Sequence, residues 1–126
     1  MNKQIIKTSS APDPIGPYSQ AVKAAGMLFI SGQIAIKPGT SELITDNIQA
    51  ETEQVMVNLK AILAEAGLGF EHVIKTSIFL KDMSLFAAVN EVYGKYFESD
   101  FPARETVAVK GLPKDVNVEI SMIAAE

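Results

Sequence analysis

The chemistry open to this sequence is narrowed first by what it lacks. It contains no cysteine, which removes a thiol nucleophile, a redox dithiol, a disulfide framework and a cysteine-ligated zinc. His72 is the only histidine, so multi-histidine metal centres and a second imidazole for a proton relay are also gone. Ser31 has no His or Asp motif around it, and Ser31-Gly32-Gln33 is not a nucleophile elbow. Gly67-Leu68-Gly69 has the look of a helix exit and lacks phosphate-loop spacing. A cation and a carboxylate near the C-terminus remain: the single arginine, Arg104, and Glu119.

Their placement follows from alternation. Along a strand, successive side chains point to opposite faces. Val116, Val118, Ile120 and Met122 alternate with Asn117, Glu119, Ser121 and Ile123, so the valine face packs under helices and Glu119 points away. In the preceding segment Val107 and Val109 are assigned to the core face, with Arg104, Thr106 and Ala108 on the outer one. A turn over 111–114 pairs 110 with 115, hence 106 with 119 and 104 with 121. Arg104 and Glu119 then become diagonal neighbours, roughly 7–8 Å apart at the backbone. Such a pair can bind a small anionic substrate; the same pattern describes an exposed ion pair worth little.

Other side chains carry weaker signals. Tyr18, after Pro17, is either a positioned phenol or a packed aromatic. His72 precedes a strand and reads as a boundary residue. Asn90 sits one step past the stripe residue Val89, where it can reach inward or face solvent.

The elements that must hold these groups are readable from periodicity. Gln4 to Lys7 is a short strand, and residues 9–18, with Pro12, Pro14, Gly16 and Pro17, form an ordered non-regular loop. Val22–Ala24 and Met27–Ile34 flank Ala25-Gly26 as a hairpin. Lys37-Pro38-Gly39-Thr40 is a turn. Asp46 is placed to cap a helix, with Gln49 as its capping-box partner, and the stripe is Ile48, Val55, Leu59, Ile62, Leu63 and Ala66. Gly67 stops it. Val73–Leu80 is a β-branched strand. Asp82 or Ser84 caps a second helix with the stripe Phe86, Val89, Tyr93, Tyr96 and Phe97. Strands Glu105–Val109 and Val116–Ala124 follow. The order β-β-β-α-β-α-β-β predicts an α+β fold, with two helices on one face of a mixed sheet.

Composition sets the frame. A chain of 126 residues, 48% hydrophobic and 21% charged, is one domain, 1–126, with a real core. It shows no repeat, linker or low-complexity segment. The net charge of −4 and scattered lysines disfavour nucleic acid, which usually meets a basic face. The longest apolar run, Ala24 to Ile30, is far short of a membrane span, and no signal-peptide pattern follows Lys3 and Lys7; the expected location is cytoplasmic. On the helix-free face Ala108, Ile123 and Ala35 are candidate apolar positions. That face is either buried against another subunit or simply solvated.

Ile15-Gly16-Pro17-Tyr18-Ser19-Gln20, Ser31-Gly32-Gln33, Val73-Ile74-Lys75-Thr76, Phe101-Pro102-Ala103-Arg104, and Leu112-Pro113-Lys114-Asp115 with Val118-Glu119-Ile120 together resemble the RidA/YjgF family, in order and spacing, from about residue 3 to 124. The resemblance implies a chorismate-mutase-like fold and a homotrimer with ligand clefts between subunits. It implies hydrolysis of 2-imino acids such as 2-iminobutanoate and 2-iminopropanoate to 2-oxo acids and ammonia, with no metal and no organic cofactor. By the same resemblance Arg104 binds the substrate carboxylate, Glu119 is the acid/base group, Tyr18, Ser31, Gly32 and Asn90 line the cleft, and position 106 lends backbone groups. Two positions depart from the common pattern: Thr106 stands where many members have Cys, and Ser121 where many have a second Glu. The alternatives are an RNA-cleaving or translation-inhibiting protein, and a non-enzymatic binder of small carboxylates.

Overall fold

Every second residue of the last strand is buried, as its alternation requires. In the computed structural model, which describes residues 2–126, the chain forms six strands and two α-helices. In chain order these are β1 (Gln4–Ile6), β2 (Ala21–Ala24), β3 (Met27–Gln33), α1 (Ile48–Glu65), β4 (Val73–Leu80), α2 (Phe86–Gly94), β5 (Ala103–Ala108) and β6 (Val118–Ala125). One mixed sheet runs β1-β2-β3-β6-β4-β5, and both helices cover one face.

Local chemistry sets the element ends. Ala25 and Gly26 both have positive φ, 53° and 76°, which is the type I′ turn that suits a two-residue hairpin; Ala24 pairs with Met27 across it. The apolar stripe of α1 buries Val55, Met56, Leu59, Ile62 and Leu63 completely. Its cap is Asn47 and not Asp46: Asn47 Oδ1 accepts from the Ala50 amide at 2.8 Å. Three residues separate that donor from its acceptor, the usual N-cap reach, which Asp46 overshoots. At the other end Gly67 N donates to Ala64 O and Leu68 N to Leu63 O, a Schellman exit with Gly67 at φ 76°. Asp82 caps a short 3₁₀ turn over Met83–Leu85, which leads into α2; Tyr96 and Phe97 lie beyond the end of that helix.

The strand order corrects one expectation. β5 and β6 are not a hairpin. β5 pairs in parallel with β4, while β6 lies between β3 and β4 and is antiparallel to both. The cause is the β4-α2-β5 unit: a helical crossover brings β5 back parallel to β4, so the chain then passes over β4 to reach the centre of the sheet.

The faces of β5 are inverted as well. Arg104, Thr106 and Ala108 stand opposite Thr76, Ile78 and Leu80, which face the helices. Val107 stands opposite Phe79 on the free face and is 45% exposed. An edge strand is covered by α2 only in part, so its helix-side positions need not be apolar. Ala35, also expected on the free face, is fully buried in the core. Ile123 does lie on that face, in a row with Phe29 and Lys75.

Candidate functional site

The free face carries one group of candidate residues. The register between β3 and β6 slips between Ile30 and Gln33, so Ser31 and Gly32 sit in a bulge beside Glu119. Bulges re-aim side chains and often mark sites. Here the bulge makes room: a Cβ on Gly32 would come within 2.8 Å of Glu119 Cδ, so the carboxylate can lie across that position only because glycine has no side chain. Tyr18, Ser31, Gly32 and Glu119 together border an open cavity of about 390 Å³, lined also by Ile15, Ile34, Ile36 and Pro113. Its volume falls within the usual span of small-ligand sites. Glu119 is half-buried, and loss of solvent raises its carboxyl pKa above the ordinary value.

The loop in front of the cavity is held from behind. Gln20 is buried; its Oε1 accepts from Thr8 N at 2.7 Å, and its Nε2 donates to the carbonyls of Thr8, Ala11 and Pro12. Ser31 donates its hydroxyl to Ser19 O at 2.6 Å and its amide to Gln20 O at 2.9 Å. The Ile15 amide reaches the Tyr18 hydroxyl at 3.3 Å. Glu51, fully buried in the first turn of α1, grips Asn117 through both its amide and its side chain, at 2.8 and 2.7 Å, and so fixes the start of β6 two residues before Glu119. Gln20 ends the Ile15–Gln20 motif but is given no role by it, and no motif or spacing points to Glu51.

The second group lies on the other face. Arg104 Nη1 donates to Asn90 Oδ1 at 2.7 Å. The guanidinium carbon sits 5.1 Å from the centre of the Tyr93 ring and 5.7 Å from that of Phe86. Positions 86, 90 and 93 form one face of α2, so the helix lays an aromatic, an amide and a second aromatic along the arginine. The Tyr93 hydroxyl is fixed in turn by Thr76 Oγ1 at 2.9 Å, and burial pushes its pKa up. Thr106 is nearby on β5; its Oγ1 is buried and has no hydrogen-bond partner among the described residues. His72 is a boundary residue whose Nδ1 accepts from Gly69 N at 3.0 Å.

Arg104 and Glu119 therefore do not meet within one chain. Glu119 is level with Phe79 and Val107, two strands away from it, and Arg104 is three residues further along β5. With strands about 4.8 Å apart and residues about 3.3 Å apart, the two are roughly 14 Å from each other even before their opposite faces are counted. Each group of side chains is assembled on its own face, and the two point apart.

Known proteins of similar sequence and shape share the whole domain. The family model for endoribonuclease L-PSP matches residues 8–126. A RutC family protein, slr0709 of Synechocystis, is 52% identical over 126 residues, covering 98% of this chain and 97% of that protein. The 2-iminobutanoate/2-iminopropanoate deaminase of the mite Dermatophagoides farinae is 44% identical over 121 residues, covering 96% and 94%. The crystal structure of RidA from an Antarctic Psychrobacter superposes with a TM-score of 0.94 at 42% identity, covering 98% of this chain and 99% of that one.

Proposed function

This chain belongs to the endoribonuclease L-PSP family, the RidA/YjgF proteins, and from that premise we propose that it hydrolyses 2-imino acids such as 2-iminobutanoate and 2-iminopropanoate to 2-oxo acids and ammonia. The observation that carries this reading is the pair of complementary half-sites. One offers an oriented cation and the other a carboxylate in a cavity.

Arg104 can take a substrate carboxylate with two parallel hydrogen bonds, a geometry lysine lacks. Asn90, Phe86 and Tyr93 hold its plane beforehand, which lowers the entropy lost on binding. Glu119 can serve both directions of proton transfer, and burial raises its pKa above the ordinary value. It removes a proton from water as the oxygen attacks the imine carbon. The C=N π pair moves to the protonated imine nitrogen, giving a carbinolamine; Glu119 then returns that proton to the amine nitrogen and takes up the hydroxyl proton as the C–N bond breaks and the C=O bond forms, releasing ammonia. The Tyr18 loop bounds the carbon chain.

Because the halves face apart, the complete cleft is proposed to form between copies of the chain, in a homotrimer. The free face supports such an assembly: Ile5, Phe29 and Val107 are 51%, 46% and 45% exposed there, beside half-buried Val22, Phe79 and Ile123. Exposed apolar patches of this kind mark contact surfaces. An RNA-cleaving role is less well supported, since the net charge is −4 and Arg104 is the only arginine. Among the described residues no helix is long and apolar enough to cross a membrane, and the proposed place of action is the cytoplasm. The test is an assay that generates the imine in situ and follows its decay. Wild type should shorten the imine lifetime and Arg104→Ala should not; equal lifetimes with and without wild-type protein would reject the reading.

A further inference from the structure

A second groove of about 300 Å³ adjoins the cavity at Glu119. The two share Pro12, Asp13, Ile15 and Ile36 as common walls, and the second is also lined by Pro14, Gly39, Thr40, Ser41 and Lys114. A three- or four-carbon substrate such as 2-iminopropanoate or 2-iminobutanoate has no second charged group for this extension to meet.

Lys114 is placed there at a conformational cost. It has φ 54° and ψ 23°, and Asp115 follows at φ 55°. A non-glycine residue is strained in the left-handed region, and glycine at 114 would avoid that penalty. The turn is held by its surroundings. Val116 is buried with Ile34 and Ile36, and Leu112 packs on them; Asp115 pairs with Lys81 at 3.1 Å. The result is that Pro113 walls the Glu119 cavity while Lys114 borders the extension. Strain retained at a cavity wall is a pointer to use. Lys81 is held by Asp115; Lys114, like most of the lysines, makes no ion pair among the described residues. The Thr40 hydroxyl is already spent on Lys37 O, which leaves the ammonium group and Ser41 to meet a ligand.

We propose that this extension is a subsite for a second, distal carboxylate, so that the site takes 2-imino and 2-oxo dicarboxylates as well as short monocarboxylates. Asp13, on the shared wall, sets the order of charges: it opposes an anion at the junction, so the second carboxylate must lie beyond it, at Lys114. 2-Oxoglutarate carries its two carboxylates at opposite ends of a five-carbon chain. The inference rests on the deaminase reading, because the first carboxylate and the C2 carbon are placed by Arg104 and Glu119.

Product binding tests it without turnover. Titration calorimetry on the full chain would compare 2-oxobutanoate with 2-oxoglutarate, for wild type, Lys114→Gly and Arg104→Ala. Glycine suits the left-handed turn, so Lys114→Gly keeps the fold. The expected result is about fivefold tighter binding of 2-oxoglutarate by wild type, the worth of one partly exposed ion pair, and parity in Lys114→Gly with 2-oxobutanoate unchanged. Arg104-dependent binding of 2-oxobutanoate with no gain for 2-oxoglutarate would overturn the subsite and leave the deaminase reading standing. So would a preference that survives Lys114→Gly, or tighter binding of 2-oxo-5-guanidinopentanoate, whose cationic tail would be answering Asp13. Failure of wild type to bind any of them would overturn both.

Discussion

Arg104 and Glu119 project from opposite faces of one sheet, β5 sending the arginine toward α2 and β6 sending the carboxylate toward the free face. If both act on one substrate, they come from different chains. Arg104→Ala and Glu119→Gln should each be inactive alone. Co-refolding them in equal amounts should restore about a quarter of wild-type activity, since half of the arginine-bearing walls and half of the carboxylate-bearing walls are intact and they combine at random. Activity that stays at background in the mixed assemblies would show that the two residues do not share a cleft.

Tyr93 should act on substrate only through Arg104. Its ring face holds the guanidinium and its hydroxyl is tied to Thr76. Tyr93→Leu removes a cation–π contact worth about 1 kcal/mol, so KM should rise roughly fivefold with kcat nearly unchanged. Tyr93→Phe keeps the ring and should keep KM close to wild type. A loss in kcat with KM constant would place Tyr93 in some other role.

Burial raises the Glu119 pKa above its ordinary value of 4.5. As a general base it must be ionised, so the acidic limb of kcat/KM should fall above pH 4.5 in place of at it. The linkage has a definite sign. An acid with a raised folded pKa favours the fold fully below the unfolded pKa, and that contribution is lost as pH rises through the folded value. Glu119→Gln should therefore unfold at a higher temperature than wild type near neutral pH, with the difference closing below pH 4.5. Thermal melts across that range check it; a difference that does not change with pH would contradict the assignment.

The elements were legible because their signals are local. A stripe at 3.6 residues, an Ala-Gly turn and a strict alternation each act within a few neighbours, and α1, the β2–β3 hairpin and β6 formed as the spacing predicts. The strand order was not, because the pairing of β5 with β4 depends on where α2 lands. That single non-local fact inverted the faces of β5 and broke the expected diagonal between Arg104 and Glu119. Tyr93 and Phe86 read as ordinary core stripe, and no periodicity separates a ring that packs from a ring that also supports a cation. Motif resemblance named Tyr18, Ser31, Gly32 and Glu119, which do border one cavity; Gln20 and Glu51, which brace it, are buried polar residues whose partners are far away in the chain.

Gly32 offers the most economical probe of the carboxylate's position. Its φ is not in the left-handed region, so alanine meets no backbone penalty there. The nearest conflict is with Glu119, whose Oε2 would overlap the new methyl carbon and whose Cδ and Cγ would lie 2.8 and 3.1 Å from it. A side chain this close must rotate or withdraw, and Glu119 is the flexible partner. Gly32→Ala should thus fold with a melting temperature near that of wild type while kcat/KM falls about ten- to hundredfold, the usual consequence of moving a catalytic group by about 1 Å. Glu119→Gln combined with Gly32→Ala should be no worse than Glu119→Gln alone, because both changes act on the same carboxylate. Additive losses in the double variant would mean that Gly32 serves the reaction by some route other than making room for Glu119.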